Sequence, residues 1–173
     1  MIAPFPPTRF TIEDVSRASD EWGANCGPAA VAAIMNMTLD DVRPFFAAAG
    51  YEAKRYTNPT MMFDVLRAIA RPWNKMEALW PSWGLVRIQW EGPWTEPGVP
   101  MRARYRHTHW IGATRRGAAI GVFDINAIGN GTGWVSLKDW DSVLVPWLLG
   151  QVAPRNNGKW HITHAIEVER RDG

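Results

Sequence analysis

Residues 22–35 read Trp22-Gly-Ala-Asn-Cys26-Gly-Pro-Ala-Ala-Val-Ala-Ala-Ile-Met35, and the fold turns on where a helix begins within them. Pro28 lacks an N–H and is tolerated only in a first helical turn, where that donor has no partner in any case. The helix therefore starts between Asn25 and Gly27, and its Ala-rich continuation reads as a core element. Cys26 falls on the first turn, where the partial positive charge of a helix N-terminus favours a thiolate over a thiol.

Upstream, Thr11-Ile-Glu-Asp14 has the form of a capping box and predicts a short helix over 12–18. Downstream, Thr38-Leu-Asp-Asp41 is a second box, for a helix over 39–49 with Gly50 as its stop. Asn58-Pro59 opens a third, over 59–70, with Met62, Val65, Leu66 and Ile69 at helical spacing. A turn-rich stretch, 71–84, leads into a strand over 85–90. Residues 91–100 hold three prolines and two glycines and read as a loop. Strands around 108–114 and 118–124 follow, joined by a hairpin turn at Arg115-Arg116-Gly117. Gly129 to Gly133 reads as a loop, Ser136-Leu-Lys-Asp139 caps a short helix that Pro146 should interrupt, and 160–169 alternates as a strand. Helices first and antiparallel strands after make an α+β arrangement. Residues 1–173 read as one domain, with the Pro-rich 1–10 a candidate arm.

The bulk numbers narrow the function classes. A chain of 173 residues is long enough to bury a core, and 46% hydrophobic with 21% charged residues is ordinary for a folded domain. A net charge of +2 is too small to point to a nucleic-acid partner. No apolar run approaches the roughly 20 residues of a membrane span, and MIAPFPPTRF lacks the pattern of a secretory signal. A single cysteine excludes an internal disulfide and fits a reducing, cytoplasmic setting. The 11 tryptophans are the unusual number; they follow no fixed period and are assigned mainly to core and interface.

A thiol nucleophile needs a base within hydrogen-bond reach and a third group to hold that base in one tautomer. His109 opens a strand, and Asp124 ends the next strand after a tight hairpin, so the two can be neighbours. Asn126 precedes the same turn and competes with Asp124 for the orienting role. The pairs His107/His109 and His161/His164 contain all four histidines. The first pair shares a strand face and could chelate a metal with Asp124, but the chain lacks the Glu-bearing helix of zinc peptidases. Neither a metal nor another cofactor is expected. Arg102, Arg104 and Arg106 alternate before the His109 strand, as an edge for a carboxylate-bearing substrate or as a solvated edge guarded against pairing. Trp94, in the loop 91–100, is placed to overhang a cleft or to pack as part of a connector.

Asn25-Cys-Gly-Pro-Ala-Ala30, His109-Trp-Ile-Gly112 and Phe123-Asp-Ile-Asn126 resemble, in order and separation, the motifs of papain-like cysteine peptidases. The branch most similar is that of the bacteriocin-processing (double-glycine leader) peptidases and their stand-alone relatives. Gly133-Trp-Val-Ser-Leu-Lys-Asp-Trp140 resembles the short helix those proteins place after the Asp, and the likeness spans roughly 19–149. The resemblance implies N-terminal helices, with the Cys at the head of the central one, packed on a C-terminal antiparallel sheet. It implies a Cys26-His109-Asp124 triad acting on a peptide or protein substrate; Trp94, Trp110 and Arg104 are this chain's own candidate substrate contacts. The family's oxyanion Gln lies six residues before the Cys, and here that position is Asp20. A carboxylate cannot stabilise an oxyanion unless protonated. The replacement donors are the Cys26 backbone N–H, the Asn25 amide and the Trp22 indole. Two functions follow: a cysteine peptidase or related amide hydrolase working through a thioester, or a non-catalytic binding or inhibitor protein on the same scaffold. The second rests on Asp20 and on analogy with small phage-encoded relatives.

Overall fold

The computed structural model describes residues 5–23 and 25–171. Its helices are α1 (Ile12–Trp22), α2 (Cys26–Met35), α3 (Leu39–Ala48), α4 (Tyr51–Lys54), α5 (Pro59–Ile69), α6 (Met101–Arg104), α7 (Leu137–Asp139) and α8 (Val145–Val152). The strands are β1 (Trp73–Met76), β2 (Trp83–Trp90), β3 (Thr108–Arg116), β4 (Ala119–Phe123), β5 (Trp134–Ser136) and β6 (Trp160–Val168). They form one antiparallel sheet in the order β1-β6-β2-β3-β4-β5. The architecture is α+β, and among the described residues no helix is long and apolar enough to cross a membrane.

Local chemistry sets the helix starts. Thr11 and Thr38 each accept from a backbone N–H three residues on, and Asp14 and Asp41 return the bond to the cap. Asn58 accepts from the Met61 N–H with Pro59 behind it, and Ser136 accepts from Asp139 N–H. Both faces of the sheet are covered. Helices α1, α2, α3 and α5 pack on one face, against Leu85, Trp110, Phe123 and Ile166. Trp140, Val145, Leu148 and Leu149 pack on the other, against Val86, Ile88, Trp90 and Ile111. Every residue of β2 is consequently buried, which is why it reads as a run rather than as an alternation.

Several expectations need correction. The first helix runs four residues past 18, to Trp22. The stretch 71–84 holds an edge strand, β1, fixed by pairing with β6 rather than by its own pattern. Pro146 does not stop its helix: a π-helical turn over Trp140–Leu144, with Val145 N–H bonded to Trp140 O, carries the chain into α8. Arg102 and Arg104 lie on a helix, so strand alternation does not put Arg102, Arg104 and Arg106 on one side. Arg102 on α6 and Arg106 in the turn after it line one cleft, while Arg104 is held elsewhere, its Nε bonded to Val99 O. Of the candidate arm, residues 1–4 lie outside the described residues. Phe5 stacks on Trp134 and Phe10 meets Phe123 edge-on, so the part described is packed down.

Candidate active site

Cys26 is the first residue of α2, with Asn25 as the preceding cap. The earliest N–H groups of a helix have no intrahelical partner, and Pro28 contributes none, so the Cys26 and Gly27 donors are without an acceptor inside α2. Gly27 is required by close approach. A Cβ there would lie 2.3 Å from Thr57 Oγ1 and 2.6 Å from Thr57 Cβ. Thr57 cannot easily give way, because it is buried and its carbonyl accepts from Trp110 Nε1 at 2.8 Å. Gly27→Ala is therefore expected to lower unfolding stability by about 1–3 kcal/mol in denaturant titrations; wild-type stability would show that this approach is not tight.

His109 begins the buried part of β3. Its Nε2–H donates to Asp124 Oδ2 at 2.9 Å, which leaves Nδ1 as the ring nitrogen for the sulfur. Asp124 has no exposed surface and accepts four bonds. Oδ2 takes His109 and the Trp140 indole N–H (2.8 Å), and Oδ1 takes the backbone and side-chain N–H groups of Asn126, each at 2.9 Å. Asn126 thus holds Asp124, and Asp124 holds the imidazole. Trp90 lies against the imidazole, with ring centroids 5.8 Å apart, and Trp140 stacks behind Trp90 at 6.0 Å. Two tryptophans on two elements wall this pair from water.

The electrostatics follow from that enclosure. Burial pushes the Cys26 thiol up, but the hydrogen bond and charge of His109, helped by the Trp110 backbone N–H, outweigh it and leave the thiol below its ordinary value. Burial likewise pushes His109 down; the adjacent Asp124 carboxylate and the thiol reverse this and raise it to about 10. Asp124 itself ends below the usual carboxylate range, because His109, Trp140 and Asn126 overcome its desolvation. The imidazole bonds Asp124 through Nε2, and the Cys26 thiol is the other group that hydrogen-bonds it.

A cleft of about 730 Å³ opens on Cys26, and Trp110, Arg87, Arg102, Tyr105 and Arg106 are among its walls. Of the other expected site residues, Asp20, Trp22 and Trp94 lie apart, and Asn25 adjoins Cys26. Asp20 is exposed on α1. Trp22 is buried and lines a separate pocket with Arg43 and Tyr51. Trp94 is turned onto His107, with ring centroids 4.0 Å apart and its indole donating to Trp90 O, so the loop 91–100 packs as a connector there. Asn25 is 9% exposed, and its Nδ2 has no hydrogen-bond partner among the described residues. Among those residues, no group of three or more His, Cys, Asp or Glu is placed to hold a metal; His107 faces Trp94, and His161 bonds Glu91.

Arg87 is the site residue that sequence reasoning missed. Its signal was available: a charge, two places from Gln89, inside the otherwise apolar run 85–90. Comparison with known proteins found no matching family model, no matching curated protein and no matching solved structure.

Proposed function

We propose that this protein is a cysteine peptidase or related amide hydrolase on a papain-like scaffold, with Cys26 as nucleophile, His109 as acid and base, and Asp124 as the residue that orients His109. One observation carries the reading: a buried imidazole, bonded through Nε2 to Asp124, lowers the pKa of a thiol at the head of α2. The Cys26 thiolate attacks the substrate carbonyl carbon. The carbonyl oxygen gains the negative charge, and the helix-end N–H groups, with the Asn25 amide that has no partner among the described residues, are the donors available to it. His109 gives its proton to the leaving amine, and the C–N bond breaks to leave a thioester. His109 then takes a proton from water, whose oxygen attacks the thioester; the C–S bond breaks, the acid leaves, and the Cys26 thiolate and the imidazolium are restored. Asp20 has no part in this scheme; its exposure on α1 leaves the oxyanion to donors of the α2 end.

Iodoacetamide tests the reading. Native protein near neutral pH should label at Cys26 well above the rate of a free thiol, whose unshifted pKa leaves little thiolate there. Labelling only after denaturation would sink the hydrolase and favour the alternative, a binding protein that uses the same cleft. Asn25→Ala should lower kcat by about 10²–10³ with KM little changed, as expected when one oxyanion donor is removed. An unchanged kcat would take Asn25 out of the oxyanion site.

A further inference from the structure

Arg87 stands in the middle of the sheet, opposite Trp110 on β3 and His164 on β6, and is 5% exposed. Its Nη2 donates to Thr108 Oγ1 at 3.3 Å, and the Tyr105 ring lies 5.3 Å from Cζ. Its Nε has no hydrogen-bond partner among the described residues. A buried guanidinium offers five donors in a fixed fork, and leaving them unmet is costly. Among the described residues no carboxylate bonds it: three arginines line the cleft, Arg87, Arg102 and Arg106, and the described lining contains no Asp or Glu. Burial holds the Arg87 pKa below its ordinary value, against the opposing influence of Tyr105 and Cys26. His164, beside it, is pushed down by burial and then by the charges of Arg87 and Lys75. The ion-paired triad carries one net negative charge that offsets Arg87 at a distance, yet the Asp124 oxygens are taken by His109, Trp140 and Asn126, and the Arg87 Nε is left without an acceptor among the described residues.

We infer that the cleft binds a carboxylate of the substrate, held by the Arg87 guanidinium in its wall, with Arg102 and Arg106 at the mouth attracting it. A planar fork matches a carboxylate through two parallel N–H···O bonds, which a point charge would not provide. The cluster of like charge at the mouth raises the local concentration of anions. The carboxylate comes either from the C-terminus of a short peptide or from an acidic side chain beside the scissile bond. The inference rests on the hydrolase reading for its reaction, but its binding step can be measured alone.

Calorimetric titration of the intact protein at low ionic strength, with three small ligands, decides it. Acetyl-diglycine supplies a terminal carboxylate, acetyl-aspartate amide an acidic side chain, and acetyl-diglycine amide neither. At least one acid should bind at least about tenfold more tightly than the neutral amide, as expected for a charge-assisted pair, and the acid that binds identifies the source. Arg87→Gln should remove that preference, and Arg106→Gln should weaken it. Equal binding of acids and amide to the wild type overturns the inference, as does a full preference retained in a folded Arg87→Gln protein. If Arg87→Gln does not fold, the wild-type comparison of acid with amide decides alone. The two readings fail separately. Slow native labelling by iodoacetamide with a clear preference for acid ends the hydrolase and keeps the carboxylate site; fast labelling without that preference does the reverse.

Discussion

In His109→Ala, alkylation of Cys26 by iodoacetamide near neutral pH should all but stop, and its rise should move to alkaline pH. The cause is in the balance at the sulfur. Burial raises the thiol pKa and the imidazole lowers it, so removing the imidazole leaves burial opposed only by the Trp110 N–H. Turnover should fall by on the order of 10⁴ or more, since both the proton acceptor and the proton donor are gone. The pH profiles give a sharper test than the rates. In the wild type, labelling needs only the thiolate, so it should rise once through the depressed Cys26 value and then stay level. Hydrolysis also needs the imidazolium proton for the leaving amine, so kcat/KM should fall again as pH rises through the raised His109 value, about 10. A labelling curve for His109→Ala that overlays the wild type would show that the two groups do not communicate.

Sequence reached this site unevenly, for physical reasons. The start of α2 was legible because Pro28 has few places to go in a helix, and the starts of α1, α3 and α5 because capping signals lie within four residues. The hairpin between β3 and β4 was legible from a tight turn, and with it the closeness of His109 and Asp124. Which of Asp124 and Asn126 meets the imidazole was not, since both stand beside one turn and only the bond from His109 Nε2 to Asp124 Oδ2 decides it. The four residues of β1 acquire their strand identity from β6, far along the chain. Arg102, Arg104 and Arg106 alternate with Met101, Ala103 and Tyr105 as a strand would, but a run this short fits a single helical turn as well, and α6 takes that form. The tryptophan count signalled large pockets without saying whose; that Trp90 and Trp140 enclose the imidazole and carboxylate depends on the π-helical turn that accommodates Pro146.

Asp124→Ala should cost about 3–5 kcal/mol of unfolding free energy, besides its effect on turnover, because it strands a buried cation and three other donors at once. Asp124→Asn separates the two effects. Every group around this carboxylate donates, so an amide can satisfy one side only. With its oxygen toward His109 and Trp140, the NH₂ opposes the Asn126 backbone N–H. With its NH₂ toward His109, the imidazole must carry its proton on Nδ1 and can no longer take one from the thiol. The Asn variant should therefore keep most of the stability that Ala loses, yet drop in kcat by about 10⁴, as expected for a wrong tautomer. Stability against pH supplies a second check. Above the ordinary thiol value of 9.0 the unfolded chain has lost both protons, while the folded pair keeps one until about 10. The unfolded state binds fewer protons there, so wild-type stability falls as pH rises through that window. At the acid end Asp124 acts in the other sense: its depressed value adds stability above the ordinary 3.8, lost as pH falls through the folded value. Asp124→Ala removes the acid contribution and most of what holds His109 up, so both slopes should flatten in denaturant titrations run across pH. A variant with unchanged slopes would mean that His109 owes its proton to something other than this carboxylate.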